Sequence, residues 1–99
     1  MTLTEEETKI IEETTNLNGH FTIFPNPIDA NEKFSIQFNL KEDSKVLIRI
    51  ADANGKIIKI KDLGSIRNYL FTESLNVSGT YLILVSIDDK LETSKLIVK

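Results

Sequence analysis

Apolar and polar residues alternate with a period of two along most of the chain from residue 21 onward. The alternation is cleanest in the segment 33–40, whose apolar members are Phe34, Ile36, Phe38 and Leu40. This period predicts antiparallel strands that bury one face and expose the other. The pattern recurs in 45–51 and 56–61, and the Asn54-Gly55 pair between them predicts a tight hairpin turn.

The densest apolar run lies near the C-terminus, at residues 79–87. A run this apolar, opened by Gly79 and followed by the polar turn Asp88-Asp89-Lys90, predicts a strand buried on both faces. Residues 91–99 would return as its hairpin partner. We therefore expect the C-terminus itself to be tied into a sheet, unlike most chain ends.

Two further strands complete the pattern, at 21–24 and 66–73. The first ends at Pro25-Asn26-Pro27, because proline lacks the amide donor that a strand needs. In the second, the pattern leaves open whether Tyr69 and Phe71 or Ile66 and Leu70 face inward. Further turns are predicted at 41–44 and 63–65.

Seven strands separated by polar turns, with no helix among them, predict an all-β fold. We expect a seven-stranded antiparallel Ig-like β-sandwich, which is favoured over a barrel. A length of 99 residues suits one domain. Residues 1–20 are predicted to form a flexible acidic tail or linker to something upstream, and 21–99 the domain itself.

Charge is concentrated in that tail, which carries five glutamates against one lysine. The rest of the chain is close to neutral, and nucleic-acid binding favours a strongly basic face. No apolar run is long enough to cross a bilayer. We therefore predict neither a nucleic-acid partner nor membrane insertion.

Candidate catalytic chemistry is sparse. The single histidine, His20, lies at the edge of the tail, and the chain has no cysteine. The segment Asp52-Ala53-Asn54-Gly55 resembles part of a calcium loop but lacks the distal glutamate of that motif, so a plain turn is favoured. The aromatic residues could form a sugar-stacking platform, but alternating positions favour a core. We predict no enzyme activity, no cofactor and no metal.

Four features in a fixed order carry a resemblance to a known family. They are Phe24-Pro25-Asn26-Pro27, the hairpin from Ile48 to Lys59, the run from Gly79 to Val85, and the final Lys95-Leu96-Ile97-Val98-Lys99. Together they resemble the type A C-terminal sorting domain of the type IX (Por) secretion system of Bacteroidetes, over residues 21–99. The chain departs from that family at Asn76-Val77-Ser78-Gly79, where Leu-Pro-Ala-Gly is common, and at Ala51, where an aromatic residue is usual.

The resemblance implies an Ig-like sandwich that directs a larger cargo across the outer membrane. Its partners would be the type IX translocon, an outer-membrane shuttle protein and a sortase peptidase that removes the domain. The protein would pass through the periplasm to the cell surface or the medium. The implied recognition element is Lys95, Leu96, Ile97, Val98 and Lys99. The implied structural motif is Pro25, Asn26, Pro27, Asn54, Gly55, Gly79 and Tyr81. By position, the implied cleavage region is Thr14, Thr15, Asn16, Leu17, Asn18, Gly19 and His20.

We hypothesise that the terminal strand is an exposed edge that a partner reads by strand addition. Two other classes of function stay open from the sequence. One is an Ig-like accessory module that binds carbohydrate or a neighbouring domain, and the other is a passive spacer. A weak homodimer is also left open.

Overall fold

The computed structural model describes residues 20–99, which form five β-strands in one antiparallel sheet. The strands are β1 (Phe21–Phe24), β2 (Lys33–Ala51), β3 (Ile57–Ser74), β4 (Gly79–Ile87) and β5 (Lys90–Val98). These residues contain no helix, and hence none that could span a membrane. The predicted all-β, antiparallel class is confirmed.

Strand β2 organises the sheet because it pairs with three other strands. It forms one long hairpin with β3 through the turn that follows Ala51. Residues Ser35–Phe38 of its first half pair with β1, and residues Val46–Ala51 of its second half pair with β4. Strand β5 then pairs with β4 along its whole length.

The predicted number of strands was wrong, because two predicted turns do not reverse the chain. Residues 41–44 lie inside β2, and residues 63–65 lie inside β3. The pairing register shifts between Asn39 and Ser44, and Gly64 adopts a φ of 67° opposite Val46. Polar residues and a glycine at these positions therefore form irregular, bulged bends, with pairing resumed on both sides. Each pair of predicted strands is one continuous strand.

The bends fold the β2–β3 hairpin over on itself. Lys59 near the start of β3 and Glu73 near its end form an ion pair of 3.2 Å, although fourteen residues separate them in sequence. Fully extended, those residues would span about 46 Å. The ribbon therefore has two layers: the first contains β1 with the first half of β2 and the second half of β3, and the second contains the remaining strand segments.

Both layers contribute to one hydrophobic core. The residues predicted to face inward from 33–40 and 45–51 are all buried, and they pack with side chains of β4 and β5. Phe71 is also buried and pairs with Ile36, so the Tyr69/Phe71 face of 66–73 is the inner one, while Leu70 is exposed. Ile66, which lies beyond the bend, also packs against the core.

Strand β4 corrects another prediction, since it is buried on one face only. Tyr81, Ile83 and Val85 point into the core, whereas Leu82 is 43% exposed on the other side. Among residues 20–99, no element covers that outer face. The apolar run predicted a strand with two buried faces. Among the described residues, only one face of β4 is buried.

Polar and charged side chains close both open sides of the two-layer body. On one side His20 Nδ1 lies 2.8 Å from Glu92 Oε1, and on the other Lys59 pairs with Glu73. Lys59 and Lys61 stand opposite Ile50 and Ile48 on β2, so they share the core-facing side of the sheet. Inward-pointing charges on edge strands are a common protection against edge-to-edge association.

The ion pair between Glu73 and Lys59 makes the stability of the fold dependent on pH. Partial burial raises the pKa of Glu73, but the hydrogen bond from the Ser74 amide and the nearby Lys59 and Lys61 outweigh it. The pKa therefore lies below its ordinary value of 4.5. A lowered folded-state pKa stabilises the fold above pH 4.5, and this stabilisation is lost as the pH falls through the folded pKa.

Replacement of Glu73 by glutamine is expected to cost about 0.5 kcal/mol at neutral pH, since the ion pair is partly exposed and screened by solvent. The cost should shrink as the pH falls below 4.5. Urea unfolding followed by circular dichroism at several pH values measures it. Glu42→Gln, at an exposed position, serves as the control for the loss of one carboxylate and should change the stability at neutral pH by less than about 0.5 kcal/mol. A cost that is constant down to acidic pH would contradict the assigned role of the pair.

Candidate functional site: the C-terminal strand and its clamp

The last residues of the chain alternate between the core and the surface. Leu96 and Val98 are buried, with 0% and 2% of their surface exposed, whereas Lys95, Ile97 and Lys99 are exposed. One edge of this segment pairs with β4, where Tyr81 lies opposite Leu96 and Gly79 opposite Val98. The expectation that the C-terminus is tied into a sheet is confirmed.

The other edge of the segment is covered by residues 25–30, which we call the clamp. The Ile28 amide donates to the Ile97 carbonyl at 2.9 Å, and the Lys99 amide donates to the Ile28 carbonyl at 2.7 Å. The Ala30 amide then donates to the Lys99 carbonyl at 3.0 Å. The clamp therefore acts as a short parallel neighbour of β5.

Asn26 extends the clamp with its side chain. Its Nδ2 donates to the Lys95 carbonyl at 2.8 Å, and its Oδ1 accepts a hydrogen bond from the Ile97 amide at 3.1 Å. The flanking Pro25 and Pro27 have no amide hydrogen to donate. The asparagine amide offers both a donor and an acceptor. The Asn26 side chain therefore provides the donor and the acceptor that the backbone of a neighbouring strand would otherwise provide.

This geometry disagrees with our hypothesis of an exposed terminal edge. The outward backbone groups at Lys95, Ile97 and Lys99 already bond to the clamp. A partner could add a strand here only by displacing residues 25–30. What stays accessible is the side chains of Lys95, Ile97 and Lys99.

Tyr81 and Gly79 support the segment from the β4 side. The Tyr81 ring is buried, and its hydroxyl donates to the Val77 carbonyl at 2.6 Å. This bond ties the loop before β4 to the strand. Gly79 opens β4 opposite Val98, so the start of one strand meets the end of the other.

The Asn54-Gly55 turn lies beside this loop. The Asp52 carboxylate accepts hydrogen bonds from the amides of Asn54 and Lys56, at 2.9 and 3.0 Å, and Gly55 has a φ of 84°. A φ in this range favours glycine. The predicted hairpin turn is confirmed, and Asp52 is engaged in it. An open groove of about 470 Å³ lies between the turn and residues 75–81.

Residues 22–99 match the family described as "Secretion system C-terminal sorting domain". The chain belongs to this family. It therefore carries a type IX secretion C-terminal sorting domain, as the resemblance implied. Export to the cell surface or the medium, as part of a larger precursor, follows from that membership.

Comparisons with curated proteins and with solved structures give less information. No curated protein matches the sorting domain. Among solved structures it is similar to the Pseudomonas fluorescens alkylpurine DNA glycosylase AlkC bound to DNA containing an abasic site analog. The identity is 13% and the TM-score 0.48, with 81% of this chain and 29% of that chain covered.

The sorting domain presents its family motifs at one end, which we call the C-terminal pole. The clamp, the groove beside Asn54, the Gly79/Tyr81 corner and Lys99 all meet there. His20 contacts Glu92, near the opposite end of β5. Seven residues of strand between Glu92 and Lys99 correspond to about 23 Å. Anything joined to the N-terminal side of His20 therefore enters far from the C-terminal pole.

The predicted cleavage region falls mostly outside the described residues, which exclude Thr14–Gly19. His20, its last member, is held in place by two contacts. Its carbonyl accepts a hydrogen bond from the Asn39 amide at 3.0 Å, and its ring pairs with Glu92. Nothing in the local sequence identified Glu92 as its partner, because 72 residues separate them.

Replacement of Tyr81 by phenylalanine tests the corner of the sorting domain. Loss of the hydroxyl removes one hydrogen bond and leaves the Val77 carbonyl unpaired, so we expect a loss of about 1 kcal/mol in unfolding free energy. Tyr69→Phe is the matched control, since Tyr69 is 41% exposed and its hydroxyl makes no hydrogen bond with residues 20–99. Urea titration compares the two, and equal midpoints would contradict the role of the Tyr81 hydroxyl.

Proposed function

We propose that this chain directs a larger cargo across the outer membrane through the type IX machinery, and that the machinery reads the C-terminal pole. The observation that carries this proposal is the way Lys95–Lys99 are held. Backbone bonds on both edges and two buried side chains fix the segment. Its exposed side chains are therefore presented in one defined arrangement.

The reading surface consists of Lys95, Ile97 and Lys99. Two cationic groups flank an apolar side chain that is 43% exposed. Such a surface suits a partner with an apolar contact bordered by carboxylates. The translocon or the outer-membrane shuttle protein would provide that partner. Because the reading surface lies far from His20, the cargo would be kept away from this contact.

The Ig-like sandwich is part of this proposal. The two layers around one core support it. Tyr81 supports it further, because its hydroxyl bonds to a backbone carbonyl four residues upstream. Ig-like domains carry a tyrosine corner with the same kind of backbone bond. The two bends within β2 and β3 would then mark where each strand passes from one layer to the other.

Removal by a sortase peptidase would occur in the N-terminal segment. His20 is bonded to Asn39 and Glu92, so we place the scissile bond ahead of it, within Thr14–Gly19. The cargo would then be released or attached to surface lipopolysaccharide. The domain acts as a substrate in this step, with no catalytic role of its own.

The alternative of a carbohydrate-binding module depends on an exposed row of aromatic rings. Phe24 and Tyr69 are the exposed aromatic residues among 20–99. They do not form a row, since Tyr69 lies opposite Phe38 on the inner side and Phe24 lies opposite Ser35. Sorting therefore has more support than carbohydrate binding. The weak homodimer stays a prediction.

A fusion assay tests the proposal. A fluorescent protein with an N-terminal export signal is joined to residues 1–99 and expressed in a type IX-competent host and in a translocation-deficient mutant. We expect reporter in the medium or on the surface of the competent strain only, shortened by the mass of this domain. Reporter retained in the periplasm of both strains, with the fusion folded, would overturn the sorting role.

Charge reversal then tests the reading surface. Lys95→Glu with Lys99→Glu should reduce export, whereas Lys41→Glu with Lys90→Glu should leave it unchanged. All four lysines are exposed, and both pairs change the net charge equally. Circular dichroism establishes that both variants are folded. Equal export of the two folded variants would exclude Lys95 and Lys99 as the element that is read.

A further inference from the structure

The two layers differ in the faces that they turn outward. In the first layer, β2 directs Ser35, Gln37 and Asn39 away from the core. In the second layer, the same strand directs Leu47 and Arg49 outward, and β4 adds Leu82 and Leu84. Ile60 of β3 is 65% exposed opposite Arg49. We call this second surface the outer apolar face.

Arg49 lies at the centre of that face. Pairing register places it between Ile60 on β3 and Leu84 on β4, and Leu84 in turn lies opposite Thr93 on β5. Arg49 Nε is shielded from solvent and makes no hydrogen bond with any side chain or backbone group of residues 20–99. A buried polar donor without a partner is costly, so this position calls for an acceptor.

The sequence of β4 indicates that the face is covered. Its apolar run is typical of a strand with two buried faces, yet residues 20–99 bury only one. The occupant must therefore combine apolar side chains with a carboxylate. The N-terminal segment of this same chain has that composition in Ile10-Ile11-Glu12-Glu13.

We propose that residues 10–13 dock on the outer apolar face, with Ile10 and Ile11 against the leucines and Glu12 or Glu13 bound to Arg49. The acidic character of the segment complements Arg49 at the centre of the face and Lys95, which lies opposite Leu82 on the same side of the sheet. A second copy is a poorer occupant, because a symmetric face-to-face arrangement would bring the two Arg49 side chains towards each other.

The connection is long enough. His20 contacts Glu92, which faces the core, whereas the next residue, Thr93, faces outward in the row that leads to Arg49, so a docked N-terminal segment would pass around the edge of β5. Two steps between strands separate Thr93 from Arg49, which correspond to about 10 Å. The seven residues from Glu13 to His20 can span up to about 25 Å. An extended connection of this length would bring Glu12 or Glu13 within reach of the guanidinium.

Docking would place the segment that leads to the cargo against the domain. On the proposed function, a cut within Thr14–Gly19 would then separate the docked residues from the domain and uncover the outer apolar face. The docking itself does not depend on secretion and is measured on the isolated chain.

Paramagnetic relaxation in solution tests the proposal. The chain has no cysteine, so Thr8→Cys provides one site for a spin label on the full 99-residue chain. We expect loss of methyl signal intensity at Ile60, Leu82 and Leu84, with Leu70 on the other layer unaffected. Intensity should return when the label is reduced.

Variants and mixing experiments separate the outcomes. Arg49→Gln should restore the methyl signals, whereas Arg67→Gln, at an exposed arginine paired with Asp43, should not. Arg49→Glu combined with Glu12→Lys and Glu13→Lys should recover the effect. In a mixture of spin-labelled chains and unlabelled chains, the methyl signals of the unlabelled chains report contacts between molecules. If the signal loss occurs only there, the face is assigned to a second copy. Unchanged methyl signals in the labelled chain would overturn the docking and leave the face to an external partner.

Discussion

Replacement of Leu96 by alanine is expected to lower the free energy of unfolding by about 2–5 kcal/mol. The Leu96 side chain is completely buried, and it belongs to the core cluster shared by both layers. Truncation removes apolar contacts and leaves a cavity that the surrounding strands fill only in part. Small domains are stable by only about 5–15 kcal/mol, so the loss is a large share of the total. Urea unfolding monitored by far-ultraviolet circular dichroism measures it.

Ile97→Ala is the matched control for this experiment. Ile97 is the next residue on the same strand, but its side chain points outward and is 43% exposed. We expect its truncation to change stability by about 0.5 kcal/mol or less, as at most surface positions. Equal losses at the two positions would mean that the alternation of β5 is not the one described.

Replacement of Asn26 by alanine is expected to cost about 1–3 kcal/mol, because two backbone groups of β5 lose their partner. The groups are the Lys95 carbonyl and the Ile97 amide. Hydrogen exchange gives a second and more local measurement. The Ile97 amide should exchange faster in the variant, whereas amides in the centre of β2 should change only with the global stability.

Two further variants test whether this loss comes from the hydrogen bonds of the Asn26 side chain. Asn26→Asp keeps the acceptor for the Ile97 amide but loses the donor to the Lys95 carbonyl, so its effect should be intermediate. Asn68→Ala, at an exposed position of β3 that makes no side-chain hydrogen bond with residues 20–99, should have little effect. Unchanged Ile97 exchange in Asn26→Ala would contradict the clamp.

These variants also separate folding from recognition. Leu96→Ala and Asn26→Ala weaken the support of the terminal strand without changing any charge. Reversal of Lys95 and Lys99 changes the charge and leaves the buried side chains in place. If the pole is read as a folded surface, both kinds of change should reduce export. Only the first kind should lower the unfolding transition.

Local pattern was enough to determine much of this fold. The period of two in 33–40 and 45–51 assigned the buried faces correctly, because adjacent side chains of a strand point to opposite sides. The Asn54-Gly55 turn followed from the backbone conformation that such a pair favours. Four motifs in order were sufficient to identify the family, and the match over residues 22–99 agrees with them.

Tertiary structure decided what depends on residues far apart in the chain. A polar segment such as 41–44 can reverse the chain or bulge within a strand, and the outcome depends on whether the opposing strand continues past it. The roles of Asn26 and Glu92 have the same origin, since their partners lie 69 to 72 residues away. Sequence determined which side chains would be buried where the alternation was clean, in 33–40 and 45–51. Only the folded chain decided which edges would be covered, because edge pairing joins segments that no local pattern relates.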